Sequence, residues 1–293
     1  MKRNSKRTIR YRWRADRSAA SGVVVTLLIL LVAVGALSAF MAVYVPIWGK
    51  DTEAQQMKRI QSQLLGMKES MDMQILAGKN TTYTTRVTLG DDGGPVFHLT
   101  RTIGTLRLDA QTNMYALRNA TDANDTQGRG KGYIEYSSQN KYYVDQKYIY
   151  ENGALIVEQS GRWVMKAGPH FDVRREPDGN FTAGLTLVSL NGVSSSRDGV
   201  GDIRIKTTMN VYDVTRYSGG DWVMGRSVCL NVTTKHASIW FDYINTTLAR
   251  PENNLVNGTD YTVANWGGGI NATLKNVNKL DLGIAIFDVR LEL

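Results

Sequence analysis

The chain has 293 residues, 42% hydrophobic and 21% charged, with 28 Gly, 5 Pro and one Cys. That length suits one large domain or two small ones, and the composition is too apolar for a mainly disordered chain and too poor in Pro for a collagen-like one. The lone Cys229 excludes an intrachain disulfide framework and a cysteine-rich zinc site, and three histidines leave little for a histidine-based metal centre.

The formal net charge is +8, but it is confined to one end. Residues 1–17 hold Lys2, Arg3, Lys6, Arg7, Arg10, Arg12, Arg14 and Arg17 against Asp16 alone; the other 276 residues carry 27 bases and 26 acids. A basic tail can bind nucleic acid. This one runs straight into an apolar stretch, so the partner it implies is a lipid bilayer and not nucleic acid.

No charged residue occurs between Ser18 and Gly49. Val23–Val45 is 23 residues of mainly Val, Leu, Ile, Ala, Met and Phe. As a helix it covers roughly 34 Å, enough for a hydrocarbon core of ~30 Å. Tyr44 and Trp48 close the far end, where amphipathic aromatics favour the headgroup layer. Residues 18–49 therefore read as a transmembrane helix, with 1–17 as a basic cytoplasmic tail or leader. The positive-inside rule then fixes the orientation: Arg10, Arg12, Arg14 and Arg17 hold the N-terminus in the cytoplasm, and residues from about 50 onward lie outside the cell. A cleaved signal with small residues at Ala36-Leu-Ser-Ala39 competes, but the apolar run continues to Ile47. A buried soluble helix fits less well, because 23 apolar residues leave no polar face. Gly35 and Ala39 form a small-x-x-x-small pair that lets another helix approach closely.

Residues 50–78 read as an amphipathic stalk helix. Met57, Ile60, Leu64, Met67 and Met71 recur at spacings of three and four, one apolar stripe. Gly78 marks its end. Joined to the span, it makes one helix from about Ser21 to Ala77, with a kink expected at Pro46. The stripe covers barely two heptads, so it is expected to pack on the chain's own outer region and not to form a coiled coil.

Residues 79–293 have β texture. Strands are expected at Tyr83–Leu89, Val96–Thr100, Gly104–Asp109, Lys131–Ser137, Tyr142–Val144, Ala154–Gln159, Arg162–Lys166, Phe171–Arg175, Thr182–Leu190, Asp202–Val214, Tyr261–Ala264, Ile270–Leu274 and Leu280–Leu293, with Cys229 on a further apolar strand. Glu151-Asn152-Gly153 is a hairpin turn signal. Ala237–Leu248 places Ile239, Trp240, Tyr243, Ile244 and Leu248 at helical spacing, a short helix laid on the sheets. In the last segment the apolar alternation changes phase at Ile286-Phe287, which suggests a bulge. Residues 192–201 are either a boundary between two outer domains or a long hairpin loop. The expected fold class is α+β, mostly β: a long N-terminal transmembrane-plus-stalk helix, then an antiparallel β-sandwich-like region with one short helix.

Chemistry-bearing motifs are few. Asn-x-Ser/Thr occurs at Asn80, Asn119, Asn124, Asn180, Asn231, Asn245, Asn257 and Asn271, all beyond the span and in excess of the roughly three that composition predicts. All but Asn231, which sits in a packed apolar strand, are glycosylation candidates. No nucleophile elbow, phosphate loop or dinucleotide fingerprint is present, so no catalytic residue, cofactor or metal is assigned and no enzyme is expected. His98, His170 and His236 are scattered, and Asp122–Gly128 resembles a calcium loop but lacks its central Gly and distal Glu.

Arg17-Ser-Ala-Ala-Ser-Gly22 followed by Val23-Val-Val-Thr-Leu-Leu-Ile is similar to the N-termini of archaeal type IV pilin-like proteins. Tyr44–Met57 and Tyr150-Glu-Asn-Gly153 resemble segments of uncharacterised archaeal membrane-anchored surface proteins. The resemblance implies leader cleavage near Ser21 or Gly22 and helices that bundle into a pilus-like filament. One departure is the absence of Glu from the first turns after that junction, where many pilins carry one. The functional expectation is a single-pass membrane-anchored cell-surface protein, structural or adhesive, with a pilin-like subunit as the sharper version. A homo-oligomer through the N-terminal helix and a cell-envelope or surface glycan are the partners it suggests. The alternative is an extracytoplasmic carbohydrate-binding protein or hydrolase, with Tyr142, Tyr143 and Trp266 as sugar-stacking platforms.

Overall fold

The computed structural model describes residues 9–91, 102–122, 124–177, 179–218 and 226–292. Helix α1 spans Ile9–Ala77, 69 residues, with Pro46 inside it and Arg10, Arg12, Arg14 and Arg17 on its first turns. It ends where Gly78 takes a positive φ of 91° and donates its N–H to the Gln74 carbonyl, a left-handed stop that glycine adopts at little cost.

Among the described residues there are thirteen strands: β1 (Thr82–Gly90), β2 (Ile103–Asn119), β3 (Thr126–Gln139), β4 (Gln146–Glu151), β5 (Ala154–Gln159), β6 (Arg162–Ala167), β7 (Phe171–Arg175), β8 (Phe181–Asn191), β9 (Ser195–Gly199), β10 (Gly201–Ser218), β11 (Arg226–Thr233), β12 (Tyr261–Asn265) and β13 (Gly269–Glu292). Helix α2 (Ala237–Leu248) follows β11, and a 3-10 turn spans Pro251–Asn253. The hydrogen-bonded order is β1-β10-β13-β11-β2-β3-β4-β5-β6, with β12 and β8 also on β13, β7 on β8 and β9 on β2. Every pairing is antiparallel except that of β8 with β13. The fold is therefore mostly β with one long and one short helix, as the sequence indicates.

Two apolar cores lie on opposite faces of shared strands. In β5, Ala154 and Ile156 enter one core and Leu155 and Val157 the other. In β4, Ile149 faces the first and Tyr148 and Tyr150 the second. The first core is closed by Trp240, Ile244 and Leu248 of α2, and the second by Met57, Ile60, Leu64, Met67, Met71 and Ile75 of α1. The expected stalk stripe thus packs on the chain's own sheet. Each of those side chains stabilises the docked helix by roughly 1.5–3 kcal/mol through burial. The helix also covers β1, an edge strand: the Thr88 N–H donates to Gln63 Oε1 at 3.0 Å, which satisfies a group an edge otherwise leaves open.

β13 passes from one core to the other. Leu280 and Leu282 face the first core, and Ala285, Phe287 and Val289 the second. The phase change read as a bulge at Ile286-Phe287 is this crossover. The register shift at that level lies in the partner, between Met209 and Val211 of β10, which pair with Phe287 and Ile286.

Other expectations are corrected. Tyr142–Val144 is a loop and not a strand; the strand is β4, whose Tyr148, Ile149 and Tyr150 are all buried, so no alternation betrays it. Ile270–Leu274 and Leu280–Leu293 belong to the single strand β13, described to Glu292. Residues 192–201 contain β9, a polar strand paired with β2. The expected strand Val96–Thr100 lies outside the described residues.

In β3, Gly128, Gly130 and Gly132 alternate with Arg129 and Lys131. A Cβ at Gly130 would stand 2.5 Å from the Val188 carbonyl oxygen of β8, closer than real contacts allow. The glycine face lets β8 cross the sheet and turns the cations to the other side.

Leu64→Ala is expected to lower the unfolding free energy of a fragment starting at Lys50 by about 2–5 kcal/mol in urea titrations. Gly130→Val should prevent native folding, read as loss of the cooperative transition.

Candidate functional site

The first half of α1 is bare. Every residue from Ser21 to Phe40 is exposed, Leu31 at 70%, and a Cβ at Gly35 would meet nothing within 4 Å. Ala39 is exposed one turn further on. Burial begins with Met41 and Val45, half-buried, and Gly49, buried. Phe40 and Tyr44 stack at 4.6 Å between ring centroids, and Trp48 lies 6.0 Å beyond Tyr44, so an aromatic ladder sits where the apolar run meets the domain. The span Ser21–Ala77 is long and apolar enough to cross a membrane.

Below this ladder the helix is tied to the sheet by polar contacts. Glu53, fully buried, takes the backbone N–H of Lys141 on one oxygen at 3.0 Å and those of Tyr142 and Tyr143 on the other at 2.7 and 2.5 Å. Three successive N–H groups converging on one carboxylate form an anion nest, which fixes the loop at residues 141–143. The Tyr142 ring lies against Gly49, and Tyr143 packs on the second core. Neither is a free platform for a sugar; Trp266, 53% exposed, remains open. Gln74, also fully buried, donates to the carbonyls of Thr81 and Thr207 and accepts from the Thr207 hydroxyl, so both of its N–H donors are used.

Asp72 joins α1 to the segment before β7. His170 Nε2 lies 3.0 Å from one Asp72 oxygen and Lys68 Nζ 2.6 Å from the other. Burial raises the Asp72 carboxyl, but the hydrogen bonds and charges of His170 and Lys68 outweigh it and hold the group below the usual carboxylate range.

A second buried acid stands at the β4–β5 turn, where Asn152 and Gly153 take φ of 45° and 77°, the positive values of a tight hairpin. Glu151 is fully buried. Its oxygens accept from Asn113 Nδ2 at 2.5 Å, Trp240 Nε1 at 2.5 Å and the Thr234 hydroxyl at 3.1 and 3.0 Å. His236 Nδ1 lies 3.2 Å away, with the Trp163 ring 4.7 Å from the His236 ring. Burial and the Glu151 charge push the Tyr115 hydroxyl well above its ordinary value. The cluster fastens the hairpin to the start of α2, and the chain's own donors fill the carboxylate. Glu151 and His236 are 85 positions apart, so no local motif marks this cluster.

The sequons fall in different settings. Asn80, Asn124 and Asn257 are exposed, Asn180 and Asn245 half-buried. Asn271 is half-buried within β13, and its Oδ1 accepts from Asn231 Nδ2 at 2.6 Å. Asn119 corrects the expectation for its position: it is 7% exposed, and its Oδ1 takes the N–H and hydroxyl of Thr121, leaving no room for a bulky glycan. Cys229 is buried. His98 lies outside the described residues, and among those described no group of three His, Cys, Asp or Glu could hold a metal ion.

Glu151→Ala should destabilise the fold by roughly 3–5 kcal/mol, because buried donors lose a charged partner, with Glu151→Gln intermediate in urea titration. Since the folded Asp72 value is depressed, its contribution is whole above about pH 4 and is lost as pH falls through the folded value. Asp72→Asn is therefore expected to be less stable than the parent at pH 7 and to converge with it in strong acid.

Comparison with protein-family models, with curated proteins and with solved structures finds no match to this chain.

Proposed function

We propose that this chain is a single-pass membrane-anchored cell-surface protein with a structural or adhesive role. The observation that carries the reading is the division of one continuous helix. Residues 21–40 expose apolar side chains on all sides, while Met57–Ile75 dock on the sheet. A soluble core helix buries its apolar surface; this one leaves its most apolar stretch uncovered, and hydrocarbon is the solvent that matches it. The Phe40–Tyr44–Trp48 ladder suits the headgroup layer and coincides with the first contacts between helix and domain. The β region therefore stands at the bilayer surface. The basic residues on the far side of the span favour a cytoplasmic N-terminus and an exterior β region, where the exposed sequons Asn80, Asn124 and Asn257 meet glycosylating enzymes.

A pilin-like filament subunit is the second reading. It is favoured by the layout itself: a bare apolar half of a helix followed by a half packed on a β-rich region, as the N-terminal resemblance implies. Gly35 and Ala39, open on the bare half, would allow close helix–helix approach.

Removal of residues 1–49 is expected to release a soluble β domain, because the docked stripe begins at Met57. Retention of that fragment on membranes after a high-salt wash contradicts the single anchor. Protease added to intact cells should reach the C-terminus; a protected C-terminus reverses the topology. The mass and N-terminal sequence of the mature protein separate the two versions. A cut near Ser21 or Gly22 supports the filament subunit, and an intact Met1 removes it.

A further inference from the structure

The glycine-alternating segment of β3 leads to a site on the outer region that the membrane reading does not use. Its cations line an open cleft of about 590 Å³, together with Arg118 of β2 and Asn231 of β11. The strand registers explain the grouping. Ala116 of β2 lies opposite both Arg129 and Asn231, and Met114 lies opposite Lys131. Partners in register point to the same side of a sheet. Arg129 and Lys131, two residues apart on one strand, stand about 6.6 Å from each other along it.

Three features make this more than a solvated charged face. Among the described residues no carboxylate lines the cleft, neither Arg118 nor Arg129 forms an ion pair, and Lys131 reaches only the neutral Gln111, at 3.5 Å. Like charges gathered in one place repel, and an external anion relieves that repulsion. The backing is fixed: the close passage of β8 behind Gly130 holds Arg129 and Lys131 on the cleft side. Asn231 is oriented by its hydrogen bond to Asn271, so part of the polar wall is set before any ligand arrives.

We propose that this cleft binds an acidic oligosaccharide, a sugar chain bearing carboxylate or sulfate groups. Two guanidinium forks match the planar or tetrahedral oxyanion of such a group, and Lys131 adds a point charge. Asn231 and Thr126 supply neutral hydrogen-bonding groups for hydroxyls, and Met114, 59% exposed, supplies apolar contact. Size separates a sugar from a bare ion. The cleft lies within the ~300–1,000 Å³ of pockets that enclose organic ligands, against ~30 Å³ for one water in the liquid.

The test uses the full chain in neutral detergent, so it does not depend on whether the helix anchors the protein in a cell. Oligogalacturonates and sulfated oligosaccharides are titrated by calorimetry beside neutral oligosaccharides of equal length, inorganic sulfate and vesicles of anionic lipid. Binding of an acidic oligosaccharide, weakened by added salt and by about tenfold or more in Arg118→Ala/Arg129→Ala, supports the site. Arg118→Lys/Arg129→Lys, which keeps the charge and loses the forks, should fall between the two. Far-ultraviolet dichroism and the thermal midpoint of the variants establish that they fold. The proposal is overturned if no acidic oligosaccharide binds, if the double substitution leaves binding unchanged, or if neutral chains bind equally well. It is also overturned if inorganic sulfate or lipid vesicles alone engage the arginines.

Discussion

The apolar stripe from Met57 to Ile75 holds the parts of this molecule in relation to one another. It seats one face of a 69-residue helix on the second core and lets the same helix cover the edge strand β1 through Gln63 and Thr88. It also brings Glu53 to the loop at residues 141–143. Since the helix is continuous, docking its second half sets where its bare first half projects. A helix that is apolar all round and a helix that is apolar on one stripe belong to different solvents. Here one rod is both, and the change occurs between Phe40 and Gly49, where the aromatic ladder stands.

The sheet is organised by strands that serve two cores. The β4–β5 hairpin is covered by α1 on one side and α2 on the other, which is why its residues are apolar on both faces. Such a hairpin has no wet face on which to place a charge, yet it carries Glu151 at its turn. The acid is tolerated because Asn113, Thr234 and Trp240 supply donors to both oxygens. The same economy of space appears in β3, where three alternate glycines admit β8 and leave Arg129 and Lys131 to the opposite side.

These two arrangements give the β region a division of labour. The buried acids Glu53 and Glu151 are consumed by internal hydrogen bonds and hold elements together. Arg118 and Arg129, by contrast, have no carboxylate partner among the described residues and stand in an open cleft. Polar groups that the fold has satisfied are structural, and those it has left unsatisfied in a concave place are where a ligand gains most.

Much of this was legible in the chain itself. The segregation of charge, the 23-residue apolar run, the stripe at three-and-four spacing and the stop at Gly78 all follow from local composition and period, because a helix repeats every 3.6 residues whatever it packs on. The short helix Ala237–Leu248 and the Asn152-Gly153 turn were readable for the same reason. The tertiary structure alone decided the rest. β4 was hidden because both of its faces are buried, and β9 because it is polar. The phase change in β13 marks a passage between cores that no local pattern defines. Glu53 meets donors 88 to 90 residues away and Glu151 donors 38 to 89 residues away, and Arg118, Arg129 and Asn231 converge only through register. A sequence period reports which face of an element is apolar; it does not report what lies opposite, and in this protein the sites are made by what lies opposite.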